Sequence, residues 1–211
     1  ADGPILAATD HPREQRLGHW RWSVDRPLGV FGSPGSGRTT TALTVVTSAL
    51  ETNLAVSLCV AGAMPPQLAA ITGPGLGTVV GPEDPRRLAR LWSLAVSGEL
   101  AGELLVIDDV DAMTSAVDEV LGPGEGQALL EIVVRTAPAT RTGLVLTAPL
   151  AMAGARWAAR IGLHLVLGAP QPAQAAVAGL PRGVVTGSSP GRGVILDGAT
   201  DAEHALTAQV V

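Results

Sequence analysis

The chain has 211 residues, a formal net charge of −5 and a hydrophobic fraction of 46%. A mean hydropathy of +0.33 excludes a disordered chain and supplies enough apolar residues for one α/β domain of ordinary size. An acidic chain without a basic cluster argues against a nucleic-acid grip, and a single cysteine, Cys59, excludes a disulfide framework or a zinc ribbon.

Four Trp, one Phe and no Tyr leave an aliphatic core, and all 14 basic residues are arginine. The uncharged stretches 52–82 and 161–181 are broken by Pro, Gly and polar residues, so neither reads as a membrane span. No Met or signal peptide opens the chain, which is the expectation for a piece of a longer protein. Residues 1–211 read as a single domain, with 1–26 a lead-in and 27–211 the core and C-terminal strands.

Residues 1–25 read as polar and irregular; Trp20 and Trp22 share one face if the segment is extended. Residues 27–31 form an apolar run that predicts a buried strand. A Gly-rich loop follows, then a helix over 39–50 with Ala42, Leu43, Val46 and Leu50 on one side. A second strand is predicted over 54–60, a short helix over 67–71 and a short strand over 77–80. Asp84 is the expected N-cap of a helix over 85–97, where Leu88, Leu91, Trp92 and Ala95 recur at the helical period. Residues 104–107 are apolar throughout and read as a central parallel strand. A helix is predicted over 126–137, a strand over 143–146, a helix over 152–161 and a strand over 164–167. A short helix over 171–178 and two β-like pieces, 193–196 and 206–211, close the chain. Strands alternating with helices predict an α/β fold of three layers with a mostly parallel central sheet, the strand at 27–31 lying beside that at 104–107.

Two patterns carry chemistry. Gly32, Ser33, Pro34, Gly35, Ser36, Gly37, Arg38, Thr39 and Thr40 follow a predicted strand and open a predicted helix. They fit the phosphate-binding pattern G-x-x-x-x-G-K-[ST] at Gly32, Gly37 and Thr39, with Arg38 in place of lysine. Glycines let successive backbone N–H groups turn onto a polyphosphate, and the helix N-terminus adds partial positive charge. Thr39 is the expected hydroxyl ligand of Mg²⁺. The strand at 104–107 runs into Asp108 and Asp109, the arrangement of a Walker B strand. Asp108 is expected near Thr39, orienting Mg²⁺, and Asp109 is the candidate to activate water, though it is one methylene shorter than the usual glutamate. Thr147, just past its strand, is a candidate sensor of the γ-phosphate.

These residues, with Pro12–Arg13–Glu14–Gln15–Arg16 upstream and Ser189–Pro190–Gly191–Arg192–Gly193 downstream, resemble an FtsK/SpoIIIE-type ATPase module. The likeness is greatest to the ATPase modules of EccC, the motor of type VII (ESX) secretion, and to a degenerate C-terminal one. The resemblance implies a P-loop NTPase fold of the RecA/ASCE kind, ATP and Mg²⁺ as cofactors, and ring assembly with other modules of the same motor. It implies WXG-type secreted proteins as cargo, and a cytoplasmic place at the inner face of the membrane, anchored by other parts of the full protein. The family's DNA-moving members keep the lysine and a Walker B glutamate; departing at both positions implies weak nucleotide binding and weak or absent hydrolysis. An active DNA translocase and a structural pseudo-ATPase are the competing readings. Arg135, Arg141, Arg156, Arg160 and Arg192 are candidates to reach a neighbour's nucleotide, and part of 67–80, with Leu68 and Ile71, is expected to border an apolar patch that docks cargo.

Overall fold

The computed structural model describes residues 5–11, 16–61, 75–198 and 206–210. The expected helix at 67–71, with Leu68 and Ile71, lies outside the described residues. One ten-stranded sheet carries the fold. Its strands in chain order are β1 (Ile5–His11), β2 (Arg16–Arg21), β3 (Leu28–Gly32), β4 (Val56–Cys59), β5 (Leu76–Val80), β6 (Leu104–Ile107), β7 (Gly143–Pro149), β8 (Leu163–Leu167), β9 (Arg192–Asp197) and β10 (Leu206–Val210). Their spatial order is β2-β1-β10-β9-β8-β3-β7-β6-β4-β5. The six strands from β8 to β5 are parallel to their neighbours; β9, β10, β1 and β2 continue the sheet antiparallel.

The helices are α1 (Arg38–Glu51), α2 (Pro85–Ser97), α3 (Val110–Leu121), α4 (Glu125–Thr140) and the short α5 (Pro172–Val177). Strand alternation sorts the core into two faces. Leu28 and Val30 of β3, Leu104 and Val106 of β6 and Val145 of β7 pack with Ala42, Val45, Val46 and Ala49 of α1. Phe31, Leu105, Ile107, Leu144 and Leu146 point the other way, onto α2, α3 and α4. Helices on both faces of a largely parallel sheet make the three layers. Asp84 caps α2 by accepting from Arg87 N at 3.1 Å.

Several expectations are corrected. The described part of the lead-in, read as irregular, carries two strands: β1 and β2 pair antiparallel, and β1 pairs with β10 at the far end of the chain. Trp22 is fully buried in the α1 face, with Trp20 packed against it. Strands β1 and β2 are neighbours in sequence, but the pair joins the sheet only through β10, a long-range pairing that local pattern does not report. The strand at 28–32 does not lie beside 104–107; β7 sits between them, hydrogen-bonded to both. The expected helix at 152–161 is two 3₁₀ turns, Leu150–Met152 and Ala158–Arg160, separated by Gly154. Helix α3 was not foreseen, although Val110, Met113, Thr114, Ala116 and Val117 bury one face at helical spacing before the Gly122–Pro123–Gly124 break. Within the expected docking patch, the described part is edge strand β5, where Leu76 and Val79 are half-buried.

Candidate functional site

The carboxyl ends of β3, β4, β6 and β7 converge where ligands bind in open α/β sheets. Strand β3 feeds the Gly-rich loop, which turns at Gly35 (φ +75°) and Gly37 (φ +101°) before α1 begins. Both conformations are ones an L side chain rarely adopts. The Ser36 N–H donates to Ser33 O at 3.1 Å, and the Thr41 N–H to Gly37 O at 2.8 Å. Helix α1 has no side-chain cap and no acidic residue in its first turn, so its leading N–H groups and positive dipole end are free for an anion.

The loop is braced from below. Ser33 Oγ donates to Gly168 O at 2.8 Å, just past β8. The Gly191 N–H donates to Ser36 O at 2.8 Å, and the Val210 N–H donates to Gly191 O at 2.9 Å. A Cβ on Gly37 would stand 3.0 Å from Gly191 N, and one on Gly168 would collide with Ser33 Oγ. Gly168, Gly191 and β10 are therefore working parts of the loop. The sequence showed Gly191 only within the Ser189–Gly193 motif and gave no sign of Gly168.

Arg38 folds back across the start of the loop, its Cγ 3.0 Å from where a Gly32 Cβ would be. Its Nη1 is buried without a hydrogen-bond partner, as is Ser36 Oγ. Thr39 and Asp108, 69 residues apart, meet: Thr39 Oγ1 donates to Asp108 Oδ2 at 2.9 Å. Asp108 is buried, and its other oxygen, Oδ1, accepts from Thr147 Oγ1 at 2.6 Å. Thr147 Oγ1 in turn accepts from the Asp109 N–H at 2.9 Å. Asp109 is the N-cap of α3 and is held left-handed at φ 58°, a strain of about 1–2 kcal/mol for a residue with a Cβ. A hydroxyl has one proton, and that of Thr147 is spent on Asp108, which counts against the expected direct contact with a γ-phosphate.

These groups line a cleft of ≈ 240 Å³ formed by Arg38, Thr39, Val60, Ala61, Asp108, Asp109 and Thr147. Val60 and Ala61, at the end of β4, form a wall the sequence did not single out. Beneath it Cys59 is fully buried, and burial pushes its thiol up to about 12, leaving it a neutral core residue. Pro34, Gly35 and Thr40 are exposed around the loop, outside the cleft lining. All five candidate arginines are exposed and none lines the cleft. Arg192 opens β9 next to Gly191, on the loop side. Arg141 lies at the opposite end of the sheet, where its carbonyl accepts from the Gly102 N–H at 2.9 Å.

Sheet order, helix placement and loop position together define a three-layer α/β ATPase fold, and solved structures of ATPase domains share it. EssC (ATPases 2 and 3) from Geobacillus thermodenitrificans matches with a TM-score of 0.68 at 15% identity, over 100% of this chain and 44% of that one. Thermomonospora curvata EccC (ATPases 2 and 3), in complex with a signal sequence peptide, matches at 0.65 and 18% identity, over 99% of this chain and 42% of that one. The pCW3 conjugation coupling protein TcpA, with ATPγS, matches at 0.63 and 13% identity, over 100% of this chain and 66% of that one. The chain thus spans less than two thirds of the length of each. No protein-family model matches it.

Proposed function

We propose that this chain is one cytosolic ATPase-type module of a larger type VII secretion motor, binding Mg²⁺–ATP weakly and hydrolysing it slowly or not at all. One observation carries the reading: a Gly-rich loop and an uncapped helix N-terminus stand over a buried carboxylate, Asp108, already hydrogen-bonded to Thr39 at 2.9 Å. Gly32, Ser33, Pro34, Gly35, Ser36 and Gly37 would wrap the phosphates, with Arg38, Thr39 and Thr40 at the helix start. Two buried, unpartnered polar atoms at the loop, Arg38 Nη1 and Ser36 Oγ, fit a place built around an anion.

The donor set suits Mg²⁺, which takes one or two protein oxygens and completes its shell with phosphate and water. Thr39 Oγ1 donates its proton to Asp108 and keeps its lone pairs for the metal; Asp108 orients it directly or through water. Bound Mg²⁺ would offset the charge on the phosphate oxygens. No group of three or more His, Cys, Asp or Glu side chains suited to a metal occurs among the described residues.

Weak turnover follows from two departures. Arg38 is planar and bulkier than lysine, a poor exchange where a phosphate is cradled. Asp109 has a short side chain on a strained N-cap, so its reach to an attacking water is reduced. Such a unit would act in cargo docking or in regulating neighbouring modules, with WXG-type proteins as cargo; the signal peptide bound to Thermomonospora EccC supports a peptide partner. The net charge of −5 favours protein cargo over DNA. No helix among the described residues is long and apolar enough to cross a membrane, and a position at its inner face would come from other parts of the motor.

A second reading, a structural pseudo-ATPase, draws on the cleft lining, which includes none of Gly32 to Gly37. Calorimetric titration with ATP, with and without Mg²⁺, separates the two. Saturable binding strengthened by Mg²⁺ is expected; no heat up to millimolar ATP would favour the structural reading.

A further inference from the structure

We propose that Thr147 is the positioning residue of this cleft: it sets the Asp108 carboxylate for the metal and pins the backbone of Asp109, rather than touching the nucleotide. The inference rests on the reading of the cleft as a Mg²⁺–nucleotide site. Thr147 is buried within β7, two residues before the strand ends rather than just past it as the sequence suggested, and β7 is wedged between the loop strand β3 and the Asp108 strand β6. From there its hydroxyl reaches across to both aspartates. It donates to Asp108 Oδ1 at 2.6 Å and accepts from the Asp109 N–H at 2.9 Å.

The chemistry of these partners fixes the roles. Asp108 Oδ1 only accepts, and a backbone N–H only donates, so the Thr147 proton must point at Asp108. An ionised phosphate oxygen also only accepts. Thr147 could serve it only by releasing Asp108, which would leave a buried carboxylate oxygen without its donor. Fixed at Oδ1 by Thr147, the carboxylate turns Oδ2 to Thr39 Oγ1 at 2.9 Å. Both candidate metal-side groups are therefore oriented by one hydroxyl behind them, as a second layer of hydrogen bonds orients ligands in other metal sites. The same hydroxyl satisfies the N–H of Asp109 at the point where the chain turns left-handed, φ 58°, to start α3.

Two consequences separate positioning from direct contact. The hydroxyl should matter most for the part of nucleotide affinity that Mg²⁺ adds, and serine should replace it. The test measures binding of ATPγS to the parent, Thr147→Val, Thr147→Ala and Thr147→Ser, each in Mg²⁺ and in EDTA. Valine keeps the volume and removes the hydroxyl; alanine serves if valine does not give a folded protein by thermal unfolding. Losing one hydrogen bond to a charged group predicts that the Mg²⁺-dependent gain falls roughly 10-fold or more in Val or Ala. The loss in EDTA should be smaller, and Ser should restore the gain. An equal loss in both conditions, or no loss in either, overturns the proposal. A parent that binds ATPγS with no gain from Mg²⁺ overturns both this inference and the proposed function; a parent with a gain that Val and Ala retain overturns this inference alone.

Discussion

Arg38→Lys tests whether the arginine limits the site. The guanidinium stem is pressed across Gly32, with Cγ 3.0 Å from the position a Cβ would take there, and Nη1 is buried without a partner. An unsatisfied buried donor costs about 1–3 kcal/mol, more when charged. Lysine carries the same charge on a slimmer stem, with three rotatable donors that can meet either solvent or phosphate. The variant should therefore bind Mg²⁺–ATP roughly 10-fold more tightly, a gain of about 1.4 kcal/mol. Relief of the buried donor should also raise the stability of the ligand-free protein by about 1 kcal/mol, or about 2–4 °C in Tm for a domain of this size. Isothermal calorimetry gives the first quantity and a thermal melt without nucleotide the second. Unchanged affinity would refute the claim that Arg38 limits binding, and weaker affinity would show that the planar guanidinium is itself the better phosphate ligand. A lower Tm would show that Arg38 packing against Gly32 holds the loop.

How far the sequence disclosed this molecule depended on whether a feature was local. The runs at 28–32 and 104–107 are short, apolar and bounded, and a strand buried on both sides needs little else. The loop was legible because its glycines fall at the fixed offsets of a phosphate-binding pattern, which also single out Thr39; Asp108 was legible separately, as the acid that ends the apolar run at 104–107. What escaped was non-local. Strand β1 enters the sheet through β10, at the far end of the chain, and β2 enters only through β1. Strand β7 between β3 and β6 is a matter of topology, which no window of sequence contains. Thr147 was visible as a polar strand end, but its service to Asp108 depends on a partner 39 residues away. Helix α3 is a different failure: its buried face was there to be read, and the pair Asp108–Asp109 drew the reading to chemistry instead.

Three further outcomes are expected. Gly37→Ala should destabilise the protein by about 1–3 kcal/mol, because φ is +101° and the new Cβ would stand 3.0 Å from Gly191 N; a thermal melt matching the parent's would show that the brace under the loop yields freely. Cys59, its thiol raised to about 12 by burial, stays protonated between pH 7 and 9 and should resist iodoacetamide until the protein unfolds; stoichiometric labelling of the native state at pH 8 would show that β4 opens. His164 gives the pH dependence. Its ring packs edge-on against Phe31, with centroids 4.8 Å apart, and Nε2 donates to Ala158 O at 3.1 Å. Burial, the largest cause, lowers its pKa, and the backbone carbonyls of Ala158 and Ile161 oppose that only in part. The unfolded chain, with an ordinary histidine at about 6.5, then takes up its proton before the folded one does. Stability from this group is thus full above about pH 6.5 and is lost as pH falls from there toward the lower folded value. One proton of difference bounds the slope at about 1.4 kcal/mol per pH unit. His164→Gln removes the titration while every other histidine remains, so the Tm difference between parent and variant should shift in the variant's favour from pH 7.5 to 5.5. Melting curves that stay parallel across that range would mean that His164 is as easily protonated in the folded protein as in the unfolded chain.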